Sequence, residues 1–268
     1  MDTRLHVVQW GAGQPRKRTS AANWREPVKW NKEAVQKGIR YRVFCASLAD
    51  VFDNEIDPAW RADLFALIQS TPNLDWLLLT KRISNASKMI EAAMIEQDIG
   101  YAVDFAAWPW PNVWIGATVC NQEEANRDIP KLLALPAAKH FLSMEPLLGS
   151  VQLDPKWMRR YQSAQGVEVQ MFMSPIDWVI VGGESGPKAR ATHPDWVRAL
   201  RDQCKAARVA FHFKQWGEWA PVERTPLLHA KITMPGQNRD LVAWTDSRRI
   251  GRKKAGRSLD GLEWDQLP

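Results

Sequence analysis

The sequence predicts an α/β protein whose parallel strands form a partial (β/α) barrel. Six short runs are rich in Val, Ile, Leu, Phe or Trp and lack strict polar alternation, which is typical of strands buried on both faces. Helical patterns fill most of the gaps, and successive runs begin 27 to 38 residues apart. Strands that alternate with helices at this spacing favour right-handed βαβ units and therefore a parallel sheet.

The six predicted strands follow one another along the chain. They are RVFCASLADVFD (42–53), DWLLLTKR (75–82), NVWIGATVCNQ (112–122), KHFLSMEPLLG (139–149), DWVIVGGESG (177–186) and VAFHFKQWGE (209–218).

Four helices are predicted, at 57–70, 83–97, 121–135 and 192–207. In the first, Asp57 is expected to be the N-cap and Pro58 the first helical residue. Pro130 is expected to break the third helix. The fourth should begin at Thr192 or His193, with Trp196, Leu200 and Cys204 along its apolar face.

The remaining segments suggest three parts. A basic, Trp-rich segment covers residues 1–40, the barrel covers 41–218 with an insertion at about 150–176, and residues 219–268 are expected to wrap the outside as short strands and loops. The basic run RRIGRKKAGR (248–257) lies in the last part. We interpret it as a solvated, mobile tail, with nucleic-acid binding as the alternative.

Composition limits the functional classes. The 268 residues contain no apolar run of the length that a membrane span needs and no secretory signal pattern, so we expect a cytosolic protein. The net charge of +6 favours an anionic partner. Three widely separated cysteines form neither a disulfide framework nor a CxxC metal motif, and the five histidines have no ligand spacing.

Polar residues stand at the ends of all six predicted strands, where parallel sheets and barrels place their ligand sites. We predict catalytic roles for Lys81, Glu145 and Lys214. Ligand or cofactor binding is predicted for Ser47, Asp50, Thr80, Thr118, Asn121, Gly182, Gly183, Glu184, Ser185 and Gln215. A structural network of ion pairs is the alternative interpretation of the same charges.

The segment GGES (182–185) suggests the kind of ligand. Gly182 and Gly183 lack Cβ atoms, so a ligand could approach the backbone closely. The neighbouring carboxylate of Glu184 suits an amine or a ribose hydroxyl and does not suit a phosphate. The string is not GxGxxG and contains no Walker lysine, so a Rossmann or P-loop site is not predicted.

The blocks VFCASLADVFD, NLDWLLLTKR, NVWIGATV, FLSMEPLLG, DWVIVGGESG and FKQWGEW, in this order and spacing, resemble the phage-associated gp-thirty-seven/gp-sixty-eight protein family. The resemblance covers most of the chain from about Trp10 to Pro268. It implies a partial barrel related to radical S-adenosylmethionine enzymes, in which three cysteines hold a [4Fe–4S] cluster. In that wider group a Gly-Gly-Glu segment binds the cofactor's amino group, a role to which Gly182, Gly183 and Glu184 are similar.

This chain differs from the family pattern at its beginning. Members usually start with a first strand and a cysteine cluster that ends in a Cys-x-x-Cys-Tyr-like string, whereas MDTRLHVVQWGAGQPRKRTSAANW resembles the segment after that motif. We therefore expect the first βα unit to be missing. We also expect this chain to hold no cofactor. S-adenosylmethionine and [4Fe–4S] are implied by the resemblance alone.

Three functions remain open at this level. The first is an incomplete or degenerate radical-SAM-like enzyme acting on a nucleic acid or nucleotide. The second is a cluster-free nucleic-acid- or nucleotide-binding protein, for which QPRKRTSAANWREPVKWNK (14–32) could be a single-strand platform or only a solvated connecting segment. The third is a metal-independent hydrolase that uses Glu145 and Glu184. A partner protein is a further expectation, and a membrane is not.

Overall fold

The computed structural model describes residues 11, 13–45, 49–96, 108–158, 175–221 and 247–268. The chain divides into two compact units. The first contains the described residues of Met1–Thr118, Asp128–Phe141 and Arg160–Pro175, and the second those of Val119–Arg127, Leu142–Arg159 and Ile176–Pro268.

Six strands form one sheet in the order β1-β2-β3-β4-β5-β6, and two more form a small sheet. The strands are β1 Tyr41–Cys45, β2 Leu74–Thr80, β3 Val113–Thr118, β4 Lys139–Met144, β5 Ile176–Gly182, β6 Ala210–Gln215, β7 Trp219–Pro221 and β8 Ser247–Arg249. The six-stranded sheet is parallel and β7 pairs with β8 antiparallel. The prediction of an α/β fold of the parallel partial-barrel type is confirmed, with all six strands at the predicted runs.

Seven helices are present among the described residues. They are α1 Ala21–Lys37, α2 Pro58–Ser70, α3 Ile83–Glu96, α4 Gln122–Leu133, α5 Pro155–Met158, α6 Pro194–Ala207 and α7 Arg252–Ala255. The four predicted helices correspond to α2, α3, α4 and α6. Helix α1 lies in the basic, Trp-rich segment 1–40, where no helix was predicted.

The helix ends follow from local chemistry. The Asp57 carboxylate accepts from the N–H of Ala59 at 3.0 Å, as predicted for an N-cap. His193 rather than Thr192 caps α6, since its Nδ1 accepts from the N–H of Asp195 at 3.1 Å. The predicted break at Pro130 is wrong, because α4 continues through it and the Pro130 carbonyl still accepts from Ala134 at 3.2 Å.

In the first unit the central strands are almost wholly buried. All six residues of β3 are buried, as are six of the seven in β2. Gly116 of β3 is required by its neighbour, because an added Cβ would lie 2.4 Å from the ring of Phe141. These strands show no polar alternation because no face of them meets water.

In the second unit the closing segment lies along β6. The N–H of Phe213 donates to the Trp264 carbonyl at 2.9 Å, and the Trp178 indole donates to the Gln266 carbonyl at 2.9 Å. These contacts place residues 264–266 beside β5 and β6, and the wrapping of the barrel by 219–268 stays a prediction. The run 248–257 is not a free tail, because β8 and α7 give it regular structure.

Among the described residues no helix is both long and apolar enough to cross a membrane.

Candidate functional site

Three of the predicted site residues meet at the carboxyl ends of β4 and β6. The Lys214 ammonium donates to Oε2 of Glu145 at 2.7 Å, and the Gln215 side-chain amide donates to Oε1 at 3.0 Å. The same amide group lies 3.5 Å from the Ser185 hydroxyl oxygen, at the outer limit of a hydrogen bond. The Glu145 side chain is 20% exposed and that of Lys214 is 54% exposed, so the pair lies at the surface with its carboxylate partly sheltered.

Gly182 makes this arrangement possible. Strand β5 lies between β4 and β6 in the sheet, so Glu145 must pass over β5 to reach Lys214 and Gln215. An added Cβ at Gly182 would lie 3.1 Å from both Cγ and Cδ of Glu145. The space left by this glycine is therefore filled by the Glu145 side chain, and the predicted ligand-binding role of Gly182 stays a prediction.

A glycine is needed at position 183 for a different reason, which is the close approach of another part of the backbone. An added Cβ there would lie 1.9 Å from the Trp216 carbonyl oxygen, and one at Gly217 would lie 2.1 Å from the Glu184 carbonyl oxygen. The backbones after β5 and β6 cross at these two glycines. They are joined by hydrogen bonds from Gly183 to Gln215 at 2.8 Å and from Glu218 to Glu184 at 2.9 Å. This crossing fixes the two loops that carry the strand-end side chains.

Glu184 does not join the group around Glu145. Its carboxylate accepts from Nε and Nη2 of Arg190 at 2.8 and 3.0 Å and from the Arg190 backbone N–H at 2.8 Å. The hydrogen bonds from the Arg190 side chain, opposed by partial burial and helped by the backbone bond, hold the pKa of Glu184 below its ordinary value. The pair closes the loop 184–190 on itself.

Three further contacts anchor this loop. The N–H of Gly186 donates to Glu218 at 3.2 Å, Arg249 donates to the Gly186 carbonyl at 3.1 Å, and the Trp219 indole donates to the Ala189 carbonyl at 2.8 Å. The end of the β7–β8 sheet at which Trp219 pairs with Arg249 thereby holds the loop after β5.

In the first unit Asp50, Thr80 and Lys81 come together. The Asp50 carboxylate accepts from the Thr80 hydroxyl at 2.7 Å, from the Lys81 backbone N–H at 2.9 Å and from Arg82 at 3.3 Å. Lys81 contributes its backbone here, and its residue is exposed. The carboxylate of Asp50 thus connects the loop after β1 to the end of β2.

The remaining predicted residues lie elsewhere. The side chain of Asn121 accepts from the Glu124 N–H at 2.9 Å and so caps α4. Thr118 is buried at the end of β3. Ser47 lies outside the described residues, so its prediction stays a prediction.

Charged residues around the loop after β1 form contacts that were not predicted. Arg61 of α2 is buried and donates to the carbonyls of Val51 and Asp53 at 2.9 and 3.1 Å. Burial alone would raise the pKa of Asp53, but the Glu55 N–H together with Arg16 and Arg82 outweighs it and lowers that pKa. In the sequence these contacts were indicated only by charged residues next to the apolar stretches that form β1 and α2.

The cysteines do not fit the iron–sulfur cluster that the family resemblance implies. Cluster ligands are grouped thiolates, whereas Cys45 is the last residue of β1, Cys120 comes after β3 and Cys204 lies inside α6. Burial raises the pKa of the Cys204 thiol to about 12. Within the described ranges no three His, Cys, Asp or Glu side chains are grouped as a metal site.

Comparison with known proteins gives one positive result. A family model described as "Protein of unknown function (DUF5131)" matches residues 2–268, and the chain belongs to this family. No curated protein sequence and no solved structure matches the chain.

Proposed function

For this member of a family of unknown function, we propose that the carboxyl ends of β4, β5 and β6 bind a nucleotide. The observation that carries the proposal is the Glu145 carboxylate, which lies across Gly182 between Lys214 and Gln215. A carboxylate and an ammonium side by side match the two polar parts of a nucleotide, its ribose and its phosphate.

The Glu145 carboxylate has capacity for a ligand. A carboxylate offers about four acceptor positions, and in the described part of the chain Glu145 accepts two hydrogen bonds, one on each oxygen. Ribose hydroxyls are donors that suit the remaining positions, as they do in other nucleotide sites. The Gln215 amide fixes the carboxylate, so a ligand meets an acceptor that is already oriented.

Lys214 is suited to the phosphate. Its side chain is about half exposed, so its ammonium can donate to a ligand while it stays near Glu145. Lysine acts as a point charge toward phosphate and places no strict demand on direction.

The ion pair has little value as a stabilising element alone. Exposed Lys–Glu pairs contribute about 0–1 kcal/mol to the free energy of folding. The partly sheltered position of the Glu145 carboxylate, at a strand end and above Gly182, therefore favours a role in ligand binding over a role in stabilising the fold. The same carboxylate would also accept from the ribose of S-adenosylmethionine, but that ligand has no phosphate for Lys214.

The test is a calorimetric titration of the wild-type chain with adenosine 5′-monophosphate, adenosine, 2′,3′-dideoxyadenosine and S-adenosylmethionine. We expect the monophosphate to bind most tightly. Loss of both ribose hydroxyls should weaken nucleoside binding by tenfold or more, which corresponds to at least about 1.4 kcal/mol. Equal affinity for adenosine and its dideoxy form would refute the role of Glu145, and tighter binding of S-adenosylmethionine than of the monophosphate would refute that of Lys214.

A further inference from the structure

A second charged surface lies in the closing segment and is independent of the nucleotide proposal. Five cationic residues, Arg248, Arg249, Arg252, Lys253 and Lys254, fall within seven positions, and no acidic residue interrupts the run 247–257. All five are exposed. We refer to these five residues as the basic surface.

The basic surface is held in place by the backbone. Strand β8 pairs with β7 through Trp219 and Arg249. The Glu218 carbonyl accepts from the N–H groups of both Ile250 and Gly251 at 3.1 Å. Gly251, with φ of 86°, supplies the turn into α7. A ligand would therefore meet cations whose backbone is already ordered, which lowers the entropic cost of binding.

Nearby acidic side chains are engaged elsewhere. Asp260 pairs with Arg198 at 2.9 Å and also with Arg201, while Asp265 pairs with Arg257. These acids neutralise arginines outside the basic surface. Of its five members, Arg249 donates to the backbone carbonyl of Gly186, and none forms an ion pair with the acids that the structure describes.

We propose that the basic surface binds the phosphate backbone of a nucleic acid. A nucleic acid presents repeated phosphates, and its affinity rises with each cation that contacts one, because each neutralised phosphate releases a condensed counterion. All five members are cationic donors, with no acceptor and no aromatic side chain among them, so binding is expected to depend on phosphate charge more than on base sequence.

The test uses fluorescence anisotropy with a labelled single-stranded DNA of about 20 nucleotides at about 50 to about 200 mM salt. The variant Arg252→Gln/Lys253→Gln/Lys254→Gln removes three charges from α7. The control Lys88→Gln/Lys156→Gln/Lys205→Gln removes three exposed charges from α3, α5 and α6, outside both the basic surface and the segment 14–32. Both variants change only exposed side chains, and thermal melts should show both folded.

We expect the α7 variant to bind at least about tenfold more weakly than wild type at low salt, with a salt slope shallower by about 2, and the control to bind like wild type. An equal loss in both variants would show that binding follows net charge alone and would overturn the proposal. So would absence of wild-type binding. A third contrary result would be loss of binding to phosphatidylserine vesicles in the α7 variant with DNA binding unchanged, which would identify a lipid surface as the partner.

Discussion

The carbonyl oxygen of Trp216 lies where a side chain at Gly183 would have to be, 1.9 Å from an added Cβ. Because the obstacle is backbone, no rotamer change relieves it. Gly183→Ala should lower the free energy of unfolding by about 3 kcal/mol and the melting temperature by roughly 6–12 °C. Gly182→Ala is the matched control, since the atoms nearest to its added Cβ belong to the Glu145 side chain, at 3.1 Å. It should cost about 1 kcal/mol or less. Similar melting temperatures for the two variants would contradict this account of the crossing.

Glu184 should act on stability through Arg190. Because the pKa of Glu184 is lowered in the folded protein, the carboxylate stabilises the fold above its ordinary pKa of 4.5. That contribution is lost as the pH falls through the folded value. Arg190 is 58% exposed, so Glu184→Gln should cost only about 1 kcal/mol near pH 7. Urea unfolding at pH 7 and at successively lower pH should show a difference from wild type that shrinks as the pH falls below 4.5. A large loss of adenosine affinity with unchanged stability would instead assign Glu184 to the ligand.

Arg61 should be the most costly charged residue to remove from the first unit. Its guanidinium is buried, and it donates to two backbone carbonyls of the segment 51–53. Arg61→Met keeps most of the apolar stem but leaves both carbonyls without this donor, so we expect a loss of about 2–4 kcal/mol. Arg25→Met, at an exposed position of α1, should change stability by less than about 0.5 kcal/mol. Equal denaturation midpoints for the two variants would show that Arg61 does not hold this loop.

Cys204 should be chemically inert in the folded protein. Its thiol is buried and its pKa is raised to about 12, so only about one molecule in 10⁴ carries the thiolate near pH 8. Ellman's reagent should therefore modify Cys204 only after urea unfolds the chain, as read by peptide mass spectrometry. Rapid labelling of Cys204 without urea would contradict its burial within α6.

The sequence predicted the strands well because they are buried on both faces. The apolar runs of β2 and β3 have no competing helical interpretation, and sequential βα units leave few topologies. Helix α1 was missed because its composition is basic and Pro27 lies within it. Its boundaries were nonetheless marked, since the Ser20 hydroxyl caps the first turn and Gly38 ends the helix in the left-handed region.

Only those contacts of the site that follow from the order of the strands could be predicted from the sequence. The positions of Glu145, Lys214 and Gln215 at the ends of parallel strands predicted that they lie close together, and they are in contact. Glu184 looked similar in sequence, but its partner depends on how the loop 184–190 folds back, and no periodicity describes that path. The glycines were recognised as a close approach, yet the sequence could not say that the approaching groups were Glu145 and the Trp216 carbonyl rather than a ligand.

The central claim is that Glu145 receives a ligand, and the most direct measurement is calorimetric titration of Glu145→Gln with adenosine, beside a thermal melt. Glutamine keeps the shape and removes the charge. We predict at least tenfold weaker binding, or at least about 1.4 kcal/mol. The melting temperature should stay within about 4 °C of wild type because the Lys214 partner is half exposed. Glu123→Gln, at an exposed position of α4, should leave both quantities unchanged. Unchanged adenosine affinity in Glu145→Gln, whatever its melting temperature, would contradict the claim and leave Glu145 as a structural ion-pair partner.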